Sequence, residues 1–239
     1  MRRRIILVLF LATFVGLTIW IPTIGKVGIY KVFTYEQMLN ETLAHIRMVG
    51  IAELMAICVG VPLGILVTRQ GLKWLSPPVV GVANVGQTIP SFAVIAIMAP
   101  LLGFTLKSAI VGLFIYGLLP VLRNSYAGIA NISPAIIESA RGMGMSRSQI
   151  ARRIELPLAR PVIMAGIRTS TVILVGTAAL AVLIGGRGLG RPILTGVLSR
   201  QPIIVVQGAA ATAGIAVILD YILESLEDWM TPQGLKVRR

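Results

Sequence analysis

Six long apolar runs limit what this chain can fold into. They cover residues 5–24, 48–68, 78–102, 108–122, 161–183 and 202–223. A helix needs about 20 mainly apolar residues to cross the ~30 Å hydrocarbon layer of a bilayer, so each run is predicted to be one membrane span. The fourth run is the shortest, and it crosses only if the flanking Lys107 and Arg123 extend toward the interfaces. The sequence therefore predicts an all-α, polytopic membrane bundle of about six transmembrane helices, forming a single domain over residues 1–239.

The distribution of positive charge predicts the orientation of these spans. With six spans, 14 of the 22 Lys and Arg residues fall in the two termini, the connection after the second run and residues 123–160, whereas 7 fall on the opposite side. Cytoplasmic segments carry the excess of Lys and Arg, so both termini and residues 123–160 are predicted to be cytoplasmic. The first run begins after three arginines, like a signal peptide, but it is long and lacks a cleavage site, so a retained helix is favoured.

The remaining composition excludes several function classes. The net charge of +13 lies between the apolar runs and not in a basic stretch interleaved with aromatic residues, so no nucleic-acid partner is expected. Cys58 and His45 are each the single residue of their type, which leaves no disulfide and no Cys or His metal cluster. No G-x-x-x-x-G-K-[ST] sequence occurs, so any nucleotide must be bound by another subunit.

Several polar residues within or beside the runs have two interpretations. Glu53 lies inside the second run, where it is either functional or paired with Arg47 or His45, and the pairing is favoured. Arg168 either extends to the inner surface or contacts the cytoplasmic segment. Four acids close the last run and either hold a divalent ion or form a solvated helix end, the latter being favoured: Asp220, Glu224, Glu227 and Asp228.

The third run is interrupted near its middle by polar residues and a proline, namely Gln87, Thr88, Pro90 and Ser91. A proline leaves a helix carbonyl without its donor, and polar side chains at membrane depth need partners in protein or water. A broken helix at this depth is typical of a transport path. A kink stabilised by its own hydroxyl groups explains the same residues equally well. Gly60 and Gly64 form a G-x-x-x-G pattern that predicts close helix packing, either inside the bundle or across a dimer.

Residues 123–160 contain the signals of two short ordered helices. Ser133 is the predicted N-cap of the first, with Pro134 as its first residue, and Gly142 and Gly144 end it. Ser146 and Gln149 form a predicted capping box for the second, which is expected to end at Pro157. A connection of this length is usually functional, so we expect another protein to dock there. An amphipathic pair lying on anionic lipid is the alternative.

This cytoplasmic segment resembles a known family. Glu138, Ser139 and Ala140, then Gly144, then Ile154, Leu156 and Pro157 are similar to the E-A-A-x-x-x-G-x₉-I-x-L-P loop in permease subunits of binding-protein-dependent ATP-binding-cassette (ABC) importers. Only Ser139 departs from the pattern. The resemblance implies a permease fold like that of methionine importers, with a coupling loop over residues 124–160. It also implies that Glu138, Ala140 and Gly144 contact the ATPase subunit, while Ile154, Leu156 and Pro157 brace the loop.

Shorter runs resemble the branch of this family that imports quaternary-ammonium osmoprotectants. These runs are residues 86–91, 119–124 and 165–169. Residues 184–190 are similar to the I-G-A-G-G-L-G element of that branch and of methionine importers, with Arg187 in place of a small residue. The resemblance implies uptake of glycine betaine, choline or carnitine through a bacterial inner membrane. A methionine-type amino-acid importer is the alternative, and a secondary transporter or channel a weaker one.

The same resemblance defines the expected partners. They are an ABC ATPase subunit that binds ATP and Mg²⁺, a second permease that is identical or related, a solute-binding protein, and the lipid bilayer. No cofactor is expected on this chain, and it is not expected to be an enzyme.

Overall fold

The computed structural model describes residues 26–27, 30–31 and 33–230. The first predicted span, residues 5–24, lies outside this part of the chain. Two short antiparallel strands, β1 (Lys26–Val27) and β2 (Tyr30–Lys31), precede the helices. The α-helices that follow are α1 (Tyr35–Leu66), α2 (Ser76–Gly86), α3 (Ser91–Leu102), α4 (Leu106–Ala130), α5 (Pro134–Gly142), α6 (Arg147–Ile150), α7 (Leu156–Ala178), α8 (Gly190–Leu198) and α9 (Pro202–Met230). The predicted all-α class is confirmed.

Four helical stretches among the described residues are long and apolar enough to cross a membrane: 35–66, 106–130, 147–178 and 202–229. Helices α2 and α3 meet at an angle of 100°. They add a fifth span if the two are counted together as one broken span. The predicted break in the third run is therefore confirmed.

Several predicted span boundaries are wrong, and in the fifth run the helix covers residues 147–178 and not 161–183. The second span begins at Tyr35 and not at residue 48, because Thr34 and Gln37 form a capping box with hydrogen bonds of 3.0 and 3.3 Å. Arg47 is consequently inside α1 and not in a loop. The fourth span is also longer than predicted. It has 25 residues and continues past Arg123 to Ala130, because Ser125 and Gly128 after that arginine are buried against the bundle. Its length removes the need for flanking basic residues to reach the interfaces.

Helix α4 is the centre of the bundle and contacts α1, α2, α3 and α7, while α9 packs on α7 and α8. Glycines allow the closest approaches. A Cβ atom on Gly64 of α1 would lie 2.6 Å from the Cβ of Ser125 in α4, and one on Gly60 would lie 3.0 Å from Val121. The G-x-x-x-G pattern therefore serves packing inside the bundle.

The core consists of two apolar clusters stacked along the helices. The first includes Ala52, Leu113 and Leu174, and the second includes Ala56, Val121 and Ile167. We call the two ends of the bundle the Tyr35 end and the Leu66 end, after the first and last residues of α1.

Candidate coupling surface and transport path

Helix α5 projects from the Leu66 end and closes in a Schellman motif. The Met145 N–H donates to the Ala140 carbonyl at 3.1 Å, and the Gly144 N–H donates to Arg141 at 2.9 Å. Gly144 has φ +77°, a left-handed conformation that glycine adopts without steric cost. Pro134 is the first helical residue, as predicted, but the side chain of Ser133 makes no capping hydrogen bond.

Helix α6 begins at the predicted capping box. The Gln149 N–H donates to Ser146 Oγ at 3.3 Å, and the Ser146 N–H donates to Gln149 Oε1 at 2.7 Å. The prediction that this helix ends at Pro157 is wrong, because the helix is continuous over residues 147–178. A π-helical turn, Ala151–Glu155, precedes Pro157, which lies in the first turn of α7. The wider turn accommodates a residue that has no N–H to donate.

One continuous helix therefore connects the segment before α7 to the core of the bundle. Residues 131–160 do not contain two separate helices but one short helix, α5, and the extended start of a helix that reaches the far side of the bundle. An ion pair braces this start, since Arg69 Nη1 lies 2.5 Å from Glu155 Oε2. A groove of about 420 Å³ lies between α5, α6 and the turn after α1, and is lined by Arg69, Gln70, Ile137, Arg141, Arg147 and Ser148 among others.

The predicted coupling residues divide by exposure. Glu138, Ser139 and Gly144 are exposed, whereas Ala140 is 1% exposed and supports α5 from behind. Ile154 and Pro157 are half-buried and Leu156 is 36% exposed, all three in the continuous helix. Met143 and Ile136 add exposed apolar surface to α5, at 73% and 43%. The sequence pattern did not single out these two side chains.

The break between α2 and α3 lies at mid-depth in the bundle. A Cβ on Gly86 would lie 2.8 Å from Leu119 of α4, and one on Gly112 of α4 would lie 2.9 Å from Ile95 of α3. The break is therefore level with the α4 turns between Gly112 and Leu119. Thr88 Oγ1 donates to the Val85 carbonyl at 2.7 Å, so one hydroxyl does stabilise the break locally.

The four residues predicted to line a path occupy this break. Thr88 and Pro90 are exposed, while Gln87 and Ser91 are half-buried. The Gln87 Nε2 atom is buried and makes no hydrogen bond to the described part of the chain.

A polar cluster at the Tyr35 end fixes the glycine-rich loop of residues 184–190. Glu41 of α1 accepts hydrogen bonds from the Gly188 N–H at 3.1 Å and from Arg191 at 2.9 Å. Gly188 has φ +130°, and a Cβ there would lie 2.7 Å from the Cβ of His45. His45 is itself buried, with Nε2 3.0 Å from the Val175 carbonyl. Sequence patterns did not reveal the role of Glu41. Its helical spacing from Met38, His45 and Met48 on one face of α1 was the available signal.

Arg168 makes contacts that neither of its two predicted interpretations named. Its guanidinium lies 2.9 Å from Asp220, 3.1 Å from Glu227 and 3.7 Å from Glu224, all on α9. These acids are not merely a solvated helix end, because three of them surround one arginine of α7. Within residues 33–229 no group of three His, Cys, Asp or Glu side chains is arranged to hold a metal ion.

The predicted pairing of Glu53 with Arg47 or His45 is also wrong. Glu53 is 7% exposed and its Oε2 lies 2.5 Å from Ser170 Oγ on α7. Arg47 precedes Glu53 by six residues, which places the two on different faces of α1. Arg47 is accordingly exposed.

Residues 60–232 match the family described as binding-protein-dependent transport system inner membrane component. The chain belongs to this family. It is a multi-pass inner-membrane permease subunit and not an enzyme, since ATP is hydrolysed by a separate subunit of such systems.

Individual relatives agree with the family match. The permease is 44% identical over 200 residues to the choline transport system permease protein OpuBB of Bacillus subtilis. The aligned residues cover 84% of this chain and 91% of that protein. The permease is 38% identical over 200 residues to the osmoprotectant import permease protein OsmW of Salmonella typhimurium, covering 82% and 92%. Among solved structures, the MetNI methionine ABC transporter superposes with a TM-score of 0.71 at 21% identity. The superposition covers 82% of this chain and 96% of that chain. That likeness confirms the predicted fold.

Proposed function

We propose that this permease carries a quaternary-ammonium osmoprotectant of the glycine betaine, choline or carnitine type from an external binding protein into the cytoplasm. The observation that carries the substrate class is the 44% identity, over most of both chains, to permeases named for choline and for glycine betaine, carnitine and choline transport. The methionine-type alternative has weaker support, because the methionine transporter is only 21% identical.

The coupling surface for the ATPase is formed by the exposed side of α5 and the start of α6, with Glu138, Ser139 and Gly144 at its centre. The continuous helix over residues 147–178 supports this role, because a displacement at its cytoplasmic start moves the bundle core without an intervening joint. Ala140 keeps α5 seated, and Ile154, Leu156 and Pro157 hold the helix in register. ATP and Mg²⁺ belong to the ATPase subunit.

The Leu66 end faces the cytoplasm, with both termini on that side. The excess of Lys and Arg in the segments of that end supports this orientation, and two ion pairs support the assignment of segments to each end. Arg69 and Glu155 pair at the Leu66 end, and Arg191 and Glu41 pair at the Tyr35 end. Each pair joins residues whose segments the charge distribution assigns to one side of the membrane.

The transport path passes the break at Gln87, Thr88, Pro90 and Ser91 and is completed by a second permease, either a copy of this chain or a related one. Its support is the mid-depth location of the break and the buried Gln87 amide nitrogen, which has no hydrogen-bond partner in the described residues.

Uptake assays test the substrate class. Cells lacking their own osmoprotectant importers would express the permease with the ATPase and binding protein of its organism. We expect uptake of labelled choline, glycine betaine or carnitine and none of methionine. Uptake of methionine alone would contradict the substrate class, and uptake without any ATPase would contradict the importer mechanism.

Co-purification tests the coupling surface. We expect Gly144→Asp and Glu138→Gln to reduce the amount of ATPase that co-elutes with the permease. Glu36→Gln is the matched control, because Glu36 is an exposed carboxylate at the Tyr35 end. Equal ATPase retention by Glu138→Gln, Gly144→Asp and the control would contradict the proposed surface.

Substitution of Gln87 tests the path. Gln87→Leu keeps the side-chain size but removes the amide, so we expect uptake to fall while ATPase co-elution is unchanged. Unchanged uptake would assign the break a purely structural role.

A further inference from the structure

A thin polar layer separates the two apolar clusters at the middle of the bundle. It consists of Glu53 on α1, Gly117 on α4 and Ser170 on α7. On each helix the residues before and after this level belong to different clusters, for example Ala52 and Ala56 on α1. Ser170 is fully buried and Glu53 is 7% exposed. A carboxyl group is therefore enclosed where three helices meet, far from either end.

The hydrogen-bond geometry of this layer has a proton-counting consequence. Ser170 Oγ lies 2.5 Å from Glu53 Oε2 and 3.0 Å from the Gly117 carbonyl oxygen. A serine hydroxyl has one proton, so it can donate to only one of these two oxygens. If Glu53 were a carboxylate, the other short contact would join two acceptors with no hydrogen between them. A protonated Glu53 removes this conflict, because Oε2–H donates to Ser170 Oγ and the serine proton is then free for Gly117.

The surrounding charges do not compensate a carboxylate at this position. Glu53 takes part in none of the ion pairs among the described residues. On α1, Arg47 is exposed and His45 contacts the Val175 carbonyl. On α7, Arg168 is held by the acids of α9, and Arg160 precedes Ser170 by about 15 Å of helix rise. On α4, Lys107 and Arg123 are exposed.

The second carboxyl oxygen points to the same state. Glu53 Oε1 is buried, and the neighbouring Thr171 hydroxyl donates its proton to the Ile167 carbonyl at 2.9 Å and not to this oxygen. Leaving a neutral carbonyl oxygen without a donor costs far less than leaving part of a buried charge without one. An ionised side chain at membrane depth is normally paired with a cation or lines a water-filled space.

We propose that Glu53 is a neutral carboxylic acid that serves as a positioning residue, donating its proton to Ser170 Oγ, which in turn donates to the Gly117 carbonyl. The relay ties α7 to both α1 and α4. Gly117 makes the contact possible, since a Cβ there would lie 2.9 Å from Ser170 Oγ. The relay is level with the break between α2 and α3, so the three tied helices move past that break as one body.

This mechanical consequence rests on the proposed function, whereas the protonation state of Glu53 does not. Infrared spectroscopy of the purified full-length permease in lipid nanodiscs tests the protonation state directly. At neutral pH we expect a carboxylic-acid C=O band that shifts on H₂O/D₂O exchange and is missing from Glu53→Gln. Glu36→Gln is the control, because Glu36 is an exposed carboxyl group at the Tyr35 end, 17 residues before Glu53, and its removal should leave that band in place. A band that survives in Glu53→Gln, or the absence of the band from the wild type, would overturn the proposal.

Substitutions provide a second, independent measurement. Gln carries an N–H that can donate to Ser170, so Glu53→Gln should give the wild-type yield of folded permease. Glu53→Ala and Ser170→Ala break the relay and should reduce that yield several-fold and lower the thermal midpoint. If Glu53→Asp preserved folding while Glu53→Gln lost it as completely as Glu53→Ala, the negative charge would be the required feature and the proposal would be wrong. Neither measurement depends on transport, so a failure here is distinct from a failure of the proposed substrate class.

Discussion

The two ends of the bundle are built on different principles. At the Leu66 end, α5 and α6 are defined by contacts between residues a few positions apart, such as the Schellman motif at Gly144 and the capping box of Ser146 and Gln149. At the Tyr35 end, the glycine-rich loop depends on Glu41, which precedes Gly188 by 147 residues. An exposed surface such as the proposed coupling surface can be held by local hydrogen bonds, whereas a buried loop needs partners from the rest of the fold.

The largest expected effect is at the Tyr35 end. Gly188→Ala places a Cβ 2.7 Å from that of His45 in a backbone conformation that side chains rarely adopt. We expect a loss of stability of about 3 kcal/mol or more, since strain and overpacking add. The thermal midpoint of the purified permease in detergent measures it. A midpoint equal to that of the wild type would mean that the loop is not held as described.

Removal of the acceptor for the same loop should have the next largest effect. Glu41→Ala leaves the buried Gly188 N–H without its acceptor and Arg191 without its ion pair. We expect a cost of about 2 kcal/mol. Glu41→Gln is the matched variant, because its amide oxygen can still accept from Gly188. If both variants lost equal stability, the charge pair with Arg191 and not the loop contact would dominate.

A glycine with positive φ at the Leu66 end makes the comparison with Gly188 direct. Gly144 has φ +77°, but a Cβ there would meet no atom within 4 Å. Gly144→Ala should therefore cost only the left-handed backbone strain, about 1.5 kcal/mol. Hydrogen exchange of the α5 amides measures this local effect. Gly144→Asn should be milder, since asparagine tolerates this conformation. A global loss of stability as large as that of Gly188→Ala would remove the distinction between the two ends.

The smallest effect separates the two predicted N-caps of the coupling surface. Ser146 Oγ accepts a hydrogen bond from Gln149, whereas the Ser133 side chain makes none. Ser146→Ala should cost about 1 kcal/mol and speed exchange of the α6 amides. Ser133→Ala should have almost no effect. Equal exchange rates in the two variants would show that the capping box contributes nothing.

The positions of the membrane-spanning helices were predictable from the sequence, but the residues at which they begin and end were not. The helix that contains the 48–68 run begins at Tyr35. Polar residues such as Glu41 and Arg47 end the apolar run, but a long helix tolerates them. The helix end predicted at Pro157 failed because a π-helical turn absorbs the missing N–H. The break at Gln87 to Ser91 was predictable, since proline and polar residues act on the local backbone.

The local structure of the proposed coupling surface was predictable for the same reason, but the exposure of its residues was not. The family pattern named Ala140 beside Glu138, yet helix rotation buries the first and exposes the second. The exposed Met143 and Ile136 follow from that rotation too, and no sequence spacing marks them.

The sequence by itself determined that the chain spans the membrane, that its third run is broken and that Ser146 caps a helix, and it predicts which segment contacts the ATPase. These properties follow from hydrophobicity, charge and short-range hydrogen bonds. Only the tertiary structure decided the partners of the buried polar groups: Glu53 with Ser170, Glu41 with Gly188 and Arg191, and Arg168 with the acids of α9. The partners are far apart along the chain, and they meet only because the rotation and depth of each helix are set by how all the helices pack together.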